Sequence, residues 1–541
     1  MSGAAASLLR ELLDRGLQLR TDGEALTLRA PRGGWTDELR AAAAARKHEL
    51  IALLAPGCKH APAAPAQEDL WLLDRRTPGG TAYDMPEALR LSGAADAACL
   101  AASLGEIVRR HEALRTTFAL VAGRPCQVVA PPAAPALAVI DLSGLGPARR
   151  EAEARRLAVA EARRPFDLER GPLLRAALIC LAGPPRRPRD SVLLRNVHHA
   201  VFDGVSAAIF ERELARLYAA ALAGRPSPLA APPLQYADFA ARERLALADE
   251  RTGETIAAAP LELPADRPRA GSRPRRGALH LRSLDEVAGK LAVPGASRFM
   301  AALAAFAATL GRVAGRRHVV VGTTADGRDK PELEGLIGFF VRTPALRVLL
   351  AGEPTLAALV GQVRDAVLEA LARPPAAGAL PPFHVVFQLH VAGRPAELPG
   401  LAVEPFELPV PPAKFDLVVN LHESPGALSS TWHFNPELFD STTIRRLAAR
   451  FAAVLGADPA TTVPELPLLA AAERHQLLRE WNDGPMPAAP ETTLDALFRR
   501  QAAARPDAVA ATFGGRHLSY GELARRAGAL ALRLRSLGAG R

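Results

Sequence analysis

The sequence predicts an α/β protein built in two lobes, with a small α+β unit in front of them. From about 65 to 475, helical stretches at 96–113, 146–163, 206–223 and 297–313 alternate with apolar strand-like runs, of which SVLLRNVHHAV, RHVVVGTTA, FHVVFQLHV and FDLVVNLHE are the clearest. Such alternation over about 400 residues suggests layers of helix and sheet in two lobes. With 541 residues, a composition 49% apolar and 23% charged, and no unbroken apolar run beyond Phe299 to Leu310, the chain is large enough for several cores. It lacks the roughly 20 apolar residues of a membrane span.

In chain order, Leu8, Leu9, Leu12 and Leu13 recur at helical spacing and stop at Gly16. LQLRTDGEALTL then alternates around Asp22-Gly23, a hairpin signal. Thr36 is a candidate N-cap for TDELRAAAAARKHELIALLAP. A unit of about 50 residues with so few core side chains is expected to be marginal alone, which favours a homodimer or a partner. PGCKHAPAAP, with its prolines and no apolar periodicity, reads as a linker over 56–64. The main body follows over 65–480, its first lobe to about 235 and its second from 236. A second linker is placed at 481–495, and 496–541 reads as helix, hairpin and helix, the opening of a further domain.

The excess of 67 basic over 57 acidic residues allows nucleic-acid or membrane binding in principle. Arginines scattered without interleaved aromatics argue against both. Cys58, Cys99, Cys126 and Cys180 lie far apart with no CxxC spacing, so neither a disulfide framework nor a zinc site is expected. The N-terminus has no secretory apolar core, and a cytoplasmic location is expected.

The sharpest feature is HHAVFDG, His198 to Gly204, at the end of a strand-like run and before an amphipathic helix. Strand ends hold groups rigidly yet exposed, and neighbouring strand residues point to opposite faces, so one of the two histidines faces a given cleft. Asp203 is placed to fix the turn, and Gly204 to allow close approach or positive φ. HHxxxDG resembles the signature of the condensation domains of nonribosomal peptide synthetases, relatives of chloramphenicol acetyltransferase. The resemblance extends to AQEDLWLL, RHEALRTTF, YADFAARER and IGFFVRT, and to RPFDLERGPLLRAAL, LELPADRPR and KFDLVVNLHE between them, covering about 65 to 480. Residues 1–55 resemble N-terminal docking domains of the tubulysin type, and LSYGEL with its surroundings resembles the first motif of an adenylation domain.

What the resemblance implies is a V-shaped pseudodimer of two chloramphenicol acetyltransferase-like lobes with His199 near the middle of a tunnel. Donor and acceptor carrier proteins present thioesters there on phosphopantetheine arms, and no tightly bound cofactor or metal is needed. His199 would be the catalytic residue, as base or as positioning group, and the backbone amide of Gly204 an oxyanion donor. His198 would be a structural partner. Asp203 would pair with an Arg: Arg328 first, Arg115 second. Tyr236 and Trp71 are expected in the core. Basic residues of the docking unit, Arg20, Arg29, Arg32, Arg40 and Arg46, would meet an acidic C-terminal tail of an upstream synthase, with a homodimer forming through residues 1–55.

His198-His199 excludes a heterocyclisation domain, which would carry DxxxxD here. The docking-like and adenylation-like flanks argue against epimerisation and against an acyl-CoA-dependent acyltransferase. The sequence also departs from the family pattern. Arg342 stands where Asn is usual, Val205 where Trp is usual, the sixth motif is missing, and 245–260 is shortened. A modified or inactive domain that recruits carriers is therefore the alternative to amide formation.

Overall fold

The computed structural model describes residues 3–133, 137–249, 260–269, 276–291, 295–372, 383–391, 397–424, 427–469, 471–484 and 492–540. Most of the shortened stretch, the region of the missing sixth motif (373–382) and residues 485–491 of the second linker lie outside the described residues. The chain forms two compact units, Met1–Ala470 and Ala471–Arg541. Among the described residues no helix is long and apolar enough to cross a membrane.

The first lobe carries a five-stranded sheet in the order Ala402–Pro405, Asp84–Ser92, Asp190–His198, Leu174–Ala182, Leu137–Asp141. Asp190–His198 is its central strand and is buried at every position but the first, which is why SVLLRNV reads as a continuous run rather than an alternation. Helices Ala97–Arg110 and Gly204–Leu222 contribute Leu100, Leu104, Ile107, Ile209, Phe210 and Leu217 to the core on one face, and Pro147–Ala162 covers the other with Ala154 and Ala158.

The second lobe has a six-stranded sheet in the order Ala278–Ser283, Ala427–Phe434, Leu417–Ser424, Val385–Val391, His318–Thr323, Ala345–Leu349. Helix Arg298–Ala314 is buried on it through Phe306, which stacks on Phe387 and meets Trp432 and Phe451 edge-on.

Three boundaries differ from the sequence expectation. First, 56–64 is no free linker. Lys59–Pro62 is the middle strand of a five-stranded sheet that joins the hairpin Gln18–Thr21/Leu26–Arg29 to the hairpin Thr116–Val121/Arg124–Val129. The prolines mislead because they sit at element ends: Pro62 is the last strand residue and Pro65 the first of helix Pro65–Arg76, both positions where a missing N–H is tolerated. Second, helix Tyr236–Asp249 and residues 333–340 pack into the first lobe's core through Tyr236, Ala240, Ile337 and Phe340, and strand Ala402–Pro405 pairs with Asp84–Ser92; the second lobe's core begins only at Leu261. Third, helix Ala471–Leu478 groups with the C-terminal unit. That unit consists further of helix Leu494–Ala504, hairpin Val509–Phe513/Arg516–Ser519 and helix Tyr520–Ser536, which is opened by a capping box between Ser519 and Glu522.

The joined sheet also answers the small-core argument. Leu9, Leu12, Leu13, Leu17, Leu19 and Leu50 pack in one cluster with Val121 and Cys126 of the main body, so the unit's core is completed within the chain and a homodimer is no longer required for it. Deleting residues 1–55 is therefore expected to uncover that cluster and one edge of Lys59–Pro62, lowering the melting temperature and promoting aggregation. Leu12→Ala, at a site of 0% exposure, should cost about 2–5 kcal/mol. Differential scanning calorimetry and sedimentation check both. A deleted form as stable and monodisperse as the full chain would contradict the joined core.

Candidate active site

The HHAVFDG segment leaves the central strand at His198 and turns through a 3-10 helix, His199–Val201, into helix Gly204–Leu222. His198 is buried, with its ring edge-on to Phe166. Its Nδ1 accepts the Ala200 N–H at 3.1 Å, so its proton sits on Nε2. Burial first, and then the nearby positive charge of Lys414, push this imidazole down to about 3. His199 is half-buried. Its backbone N–H donates to the Tyr83 carbonyl at 2.8 Å, and its Nδ1 lies 2.7 Å from the Phe202 carbonyl. A carbonyl only accepts, so Nδ1 carries the proton and Nε2 presents a lone pair. Burial, and secondarily Lys414, hold the His199 imidazole well below its ordinary range, hence neutral. The Phe339 ring meets it edge-on at 4.9 Å and Tyr83 lies at 6.5 Å. The turn, rather than strand alternation, separates the two rings.

Asp203 is the N-cap of the following helix, with Oδ1 accepting the Ser206 N–H at 2.7 Å. Arg328 reaches it from the second lobe's side of the sequence and donates to both carboxylate oxygens at 3.0 Å. The two side chains are 0% and 1% exposed. Phe340 N–H completes the carboxylate's set at 3.0 Å, and Arg328 is further held by Ser206 Oγ, the Leu336 carbonyl and Asp326. Ser206 Oγ donates to the Gly338 carbonyl at 2.9 Å, so the IGFFVRT segment is tied to the histidine turn at several points.

Arg115 is not brought to this place. It hydrogen-bonds the Ala130 carbonyl and faces Glu112. It has no contact with Asp203 because residues 112–115 lead into the hairpin of the joined sheet. Gly204 does not have positive φ, and a Cβ built there meets nothing within 4 Å. Its role as helix position N1 needs no glycine. Arg342 pairs with Glu243 at 3.4 Å, Val205 is exposed, and Trp71 and Tyr236 are buried, with the Tyr236 hydroxyl donating to the Phe339 carbonyl at 2.7 Å.

Sequence reasoning passed over three residues. His111, inside RHEALRTTF, bonds Glu213 at 2.9 Å and, with Arg110, ties that motif to the helix after the histidines. Asp84 and Lys414 also flank the site. A lone Asp in AYDMPEALRL and the Lys opening KFDLVVN carry no spacing signal, because it is the register of Asp84 against His198 and the crossover before Lys414 that bring them in.

Comparison with known proteins now adds the family. Residues 58–375 match the condensation domain and residues 6–55 the TubC N-terminal docking domain. The chain belongs to the condensation domain family. These domains are acyltransferases of nonribosomal peptide synthesis, and the match begins at Cys58, just before the strand that sequence reading took for linker. The chain is 36% identical over 519 residues to the chondramide synthase cmdD of Chondromyces crocatus, covering 88% of this chain and 13% of that protein. It is 36% identical over 514 residues to phosphinothricin tripeptide synthetase PhsC of Streptomyces viridochromogenes, covering 88% and 46%. It thus spans less than half the length of these relatives. Among solved structures it resembles the X-domain from teicoplanin biosynthesis (28% identity, TM-score 0.66, 75% of this chain and 97% of that one). It also resembles the first condensation domain of the CDA synthetase (26%, 0.60, 76% and 99%). The two lobes are accordingly the chloramphenicol acetyltransferase-like fold.

Arg328→Met leaves Asp203 charged and unpaired in the interior and should cost about 3–5 kcal/mol. The double variant Asp203→Asn/Arg328→Met should recover part of it. Thermal denaturation of the wild type, both single variants and the double variant checks this, and equal stabilities would contradict the clamp.

Proposed function

We propose that this condensation domain joins a donor acyl or peptidyl thioester to the amine of an acceptor aminoacyl thioester, both delivered on phosphopantetheine arms of carrier proteins. The observation that carries the reading is the half-buried, neutral His199, with Nδ1–H spent on Phe202 and Nε2 open. An α-amino group has a pKa of roughly 7.7 to 8, so part of it is already a nucleophile near neutrality. The nitrogen loses its proton only as the C–N bond forms, and a fixed lone pair at Nε2 receives it. Holding amine and thioester together supplies much of the acceleration.

The docking unit is proposed to capture a C-terminal tail of an upstream synthase. A cleft of about 630 Å³ between it and helix Tyr236–Asp249 supports an acidic tail, since Arg29, Arg32, Arg242 and Lys330 line it against Asp238 alone. Residues 496–541 are proposed to open an adenylation domain.

A second reading, a domain that recruits other proteins without forming the amide, draws on the likeness to the teicoplanin X-domain, a structure of which is a complex with OxyB. Intact-mass measurement decides. With loaded donor and acceptor carriers, the wild type should yield condensed product on the acceptor. His199→Ala should slow it by about 100-fold or more with an unchanged melting temperature. Carrier binding without product in the wild type would favour the platform.

A further inference from the structure

His199 as it stands can accept a proton but cannot donate one, because its single N–H is committed to Phe202. When an amine adds to a thioester, the carbonyl π pair moves onto oxygen, and that charge needs a donor in a site shielded from water. Arg328 is committed to Asp203, Ser206 and Leu336, and Arg115 to Ala130. Lys414 is different. Its ammonium lies over the Tyr83 ring at 5.2 Å from the centroid, and Tyr83 is the residue whose carbonyl holds the His199 N–H and whose ring faces the imidazole. The lysine is half-buried, and among the described residues Nζ makes no hydrogen bond. Asp84, whose charge acts on Lys414 without an ion pair between them, is 4% exposed and neither carboxylate oxygen has a partner among the described residues. A buried ionic neighbourhood with donors and acceptors left open is costly unless a ligand completes it.

We propose that Lys414 is a second catalytic residue of this domain, an ammonium that hydrogen-bonds the donor thioester's carbonyl oxygen and stabilises the oxyanion of the tetrahedral intermediate, with Asp84 as its counter-ion. This rests on the amide-forming reading. The amine lone pair attacks the carbonyl carbon and the oxyanion forms against Lys414. The nitrogen's proton passes to His199 Nε2, the C–S bond breaks as the C=O reforms, and the leaving thiolate takes that proton. Thioester and amine become amide and thiol, with nothing else consumed.

The groups that face Lys414 define its charge. Asp84 stands on the first-lobe strand, His198 and His199 on the turn, His433 on Ala427–Phe434, and Tyr83 beneath; Arg175, Asp74 and Glu161 act on Asp84 in turn. Burial brings the Lys414 ammonium down to about 8 against the opposing pull of Asp84, and burial pushes the Asp84 carboxyl up to about 7. The ammonium is thus present at neutral pH and is lost as pH rises through about 8.

The test uses the full chain, a donor carrier bearing a hexanoyl thioester and an acceptor carrier loaded in turn with each proteinogenic amino acid. Single-turnover rates are followed by intact mass from pH 6 to 10. The wild type should show a fall in rate with an apparent pKa near 8. Lys414→Met should lose about 100-fold in rate without a comparable change in carrier affinity. Lys414→Arg, always charged, should regain part of the rate and lose the alkaline fall. A Lys414→Met protein as fast as the wild type, or a wild-type rate with no alkaline fall, overturns the role of Lys414 while leaving amide formation standing. A wild type that forms no amide overturns both.

Discussion

A carboxylate and a guanidinium, Asp203 and Arg328, face each other with almost no access to water, and the rest of the site depends on them. Taking two such charges out of solvent is expensive unless every lone pair and donor is satisfied. Here they are. Asp203 receives two guanidinium and two backbone N–H groups, and Arg328 finishes on Ser206, Leu336 and Asp326. Asp203 both caps the helix and ends the turn begun by His199, so the pair anchors the backbone on which the imidazole is mounted. The pair is therefore a device of position, and the segment 336–340 from later in the chain becomes part of the first lobe's active surface.

Electrostatics complete what position begins. The histidines stand side by side in sequence and are both held neutral by burial, with Lys414 adding to the effect. Their tautomers are opposite, since His198 Nδ1 accepts from an N–H while His199 Nδ1 donates to a carbonyl. One ring is thereby consumed in holding the turn and the other is left with a single free lone pair. An imidazole so hard to protonate is a weak base, which suits a nucleophile that is substantially neutral before it attacks. Such a ring suits the late proton acceptance proposed for His199.

Much of the fold was legible in the sequence because the signals were long and periodic. The leucines before Gly16, the Asp22-Gly23 hairpin and the uninterrupted apolar run ending at His198 all became the elements their patterns imply. The HHAVFDG string marked the turn, and the choice of Arg328 over Arg115 matched the contacts in the structure. What stayed hidden depends on pairing across long sequence separations. Lys59–Pro62 is disguised by prolines that are harmless at its end. Ala402–Pro405 is four residues long and meets its partner across more than 300 positions. Asp84 gains meaning only from its register opposite His198. At Gly204 the positive φ that a glycine there suggests is not used, since the residue starts an ordinary helix.

The chemistry of the site rests on a neutral His199 whose proton sits on Nδ1. Nitrogen-15 NMR of the histidine-labelled full chain, with His199 assigned through a His199→Gln control, reads both the tautomer and the titration. The expected spectrum shows a protonated Nδ1 and an unprotonated Nε2 that hold through the pH range in which an ordinary imidazole titrates. A His199 signal that titrates near the ordinary value of about 6.5, or that carries its proton on Nε2, would contradict it.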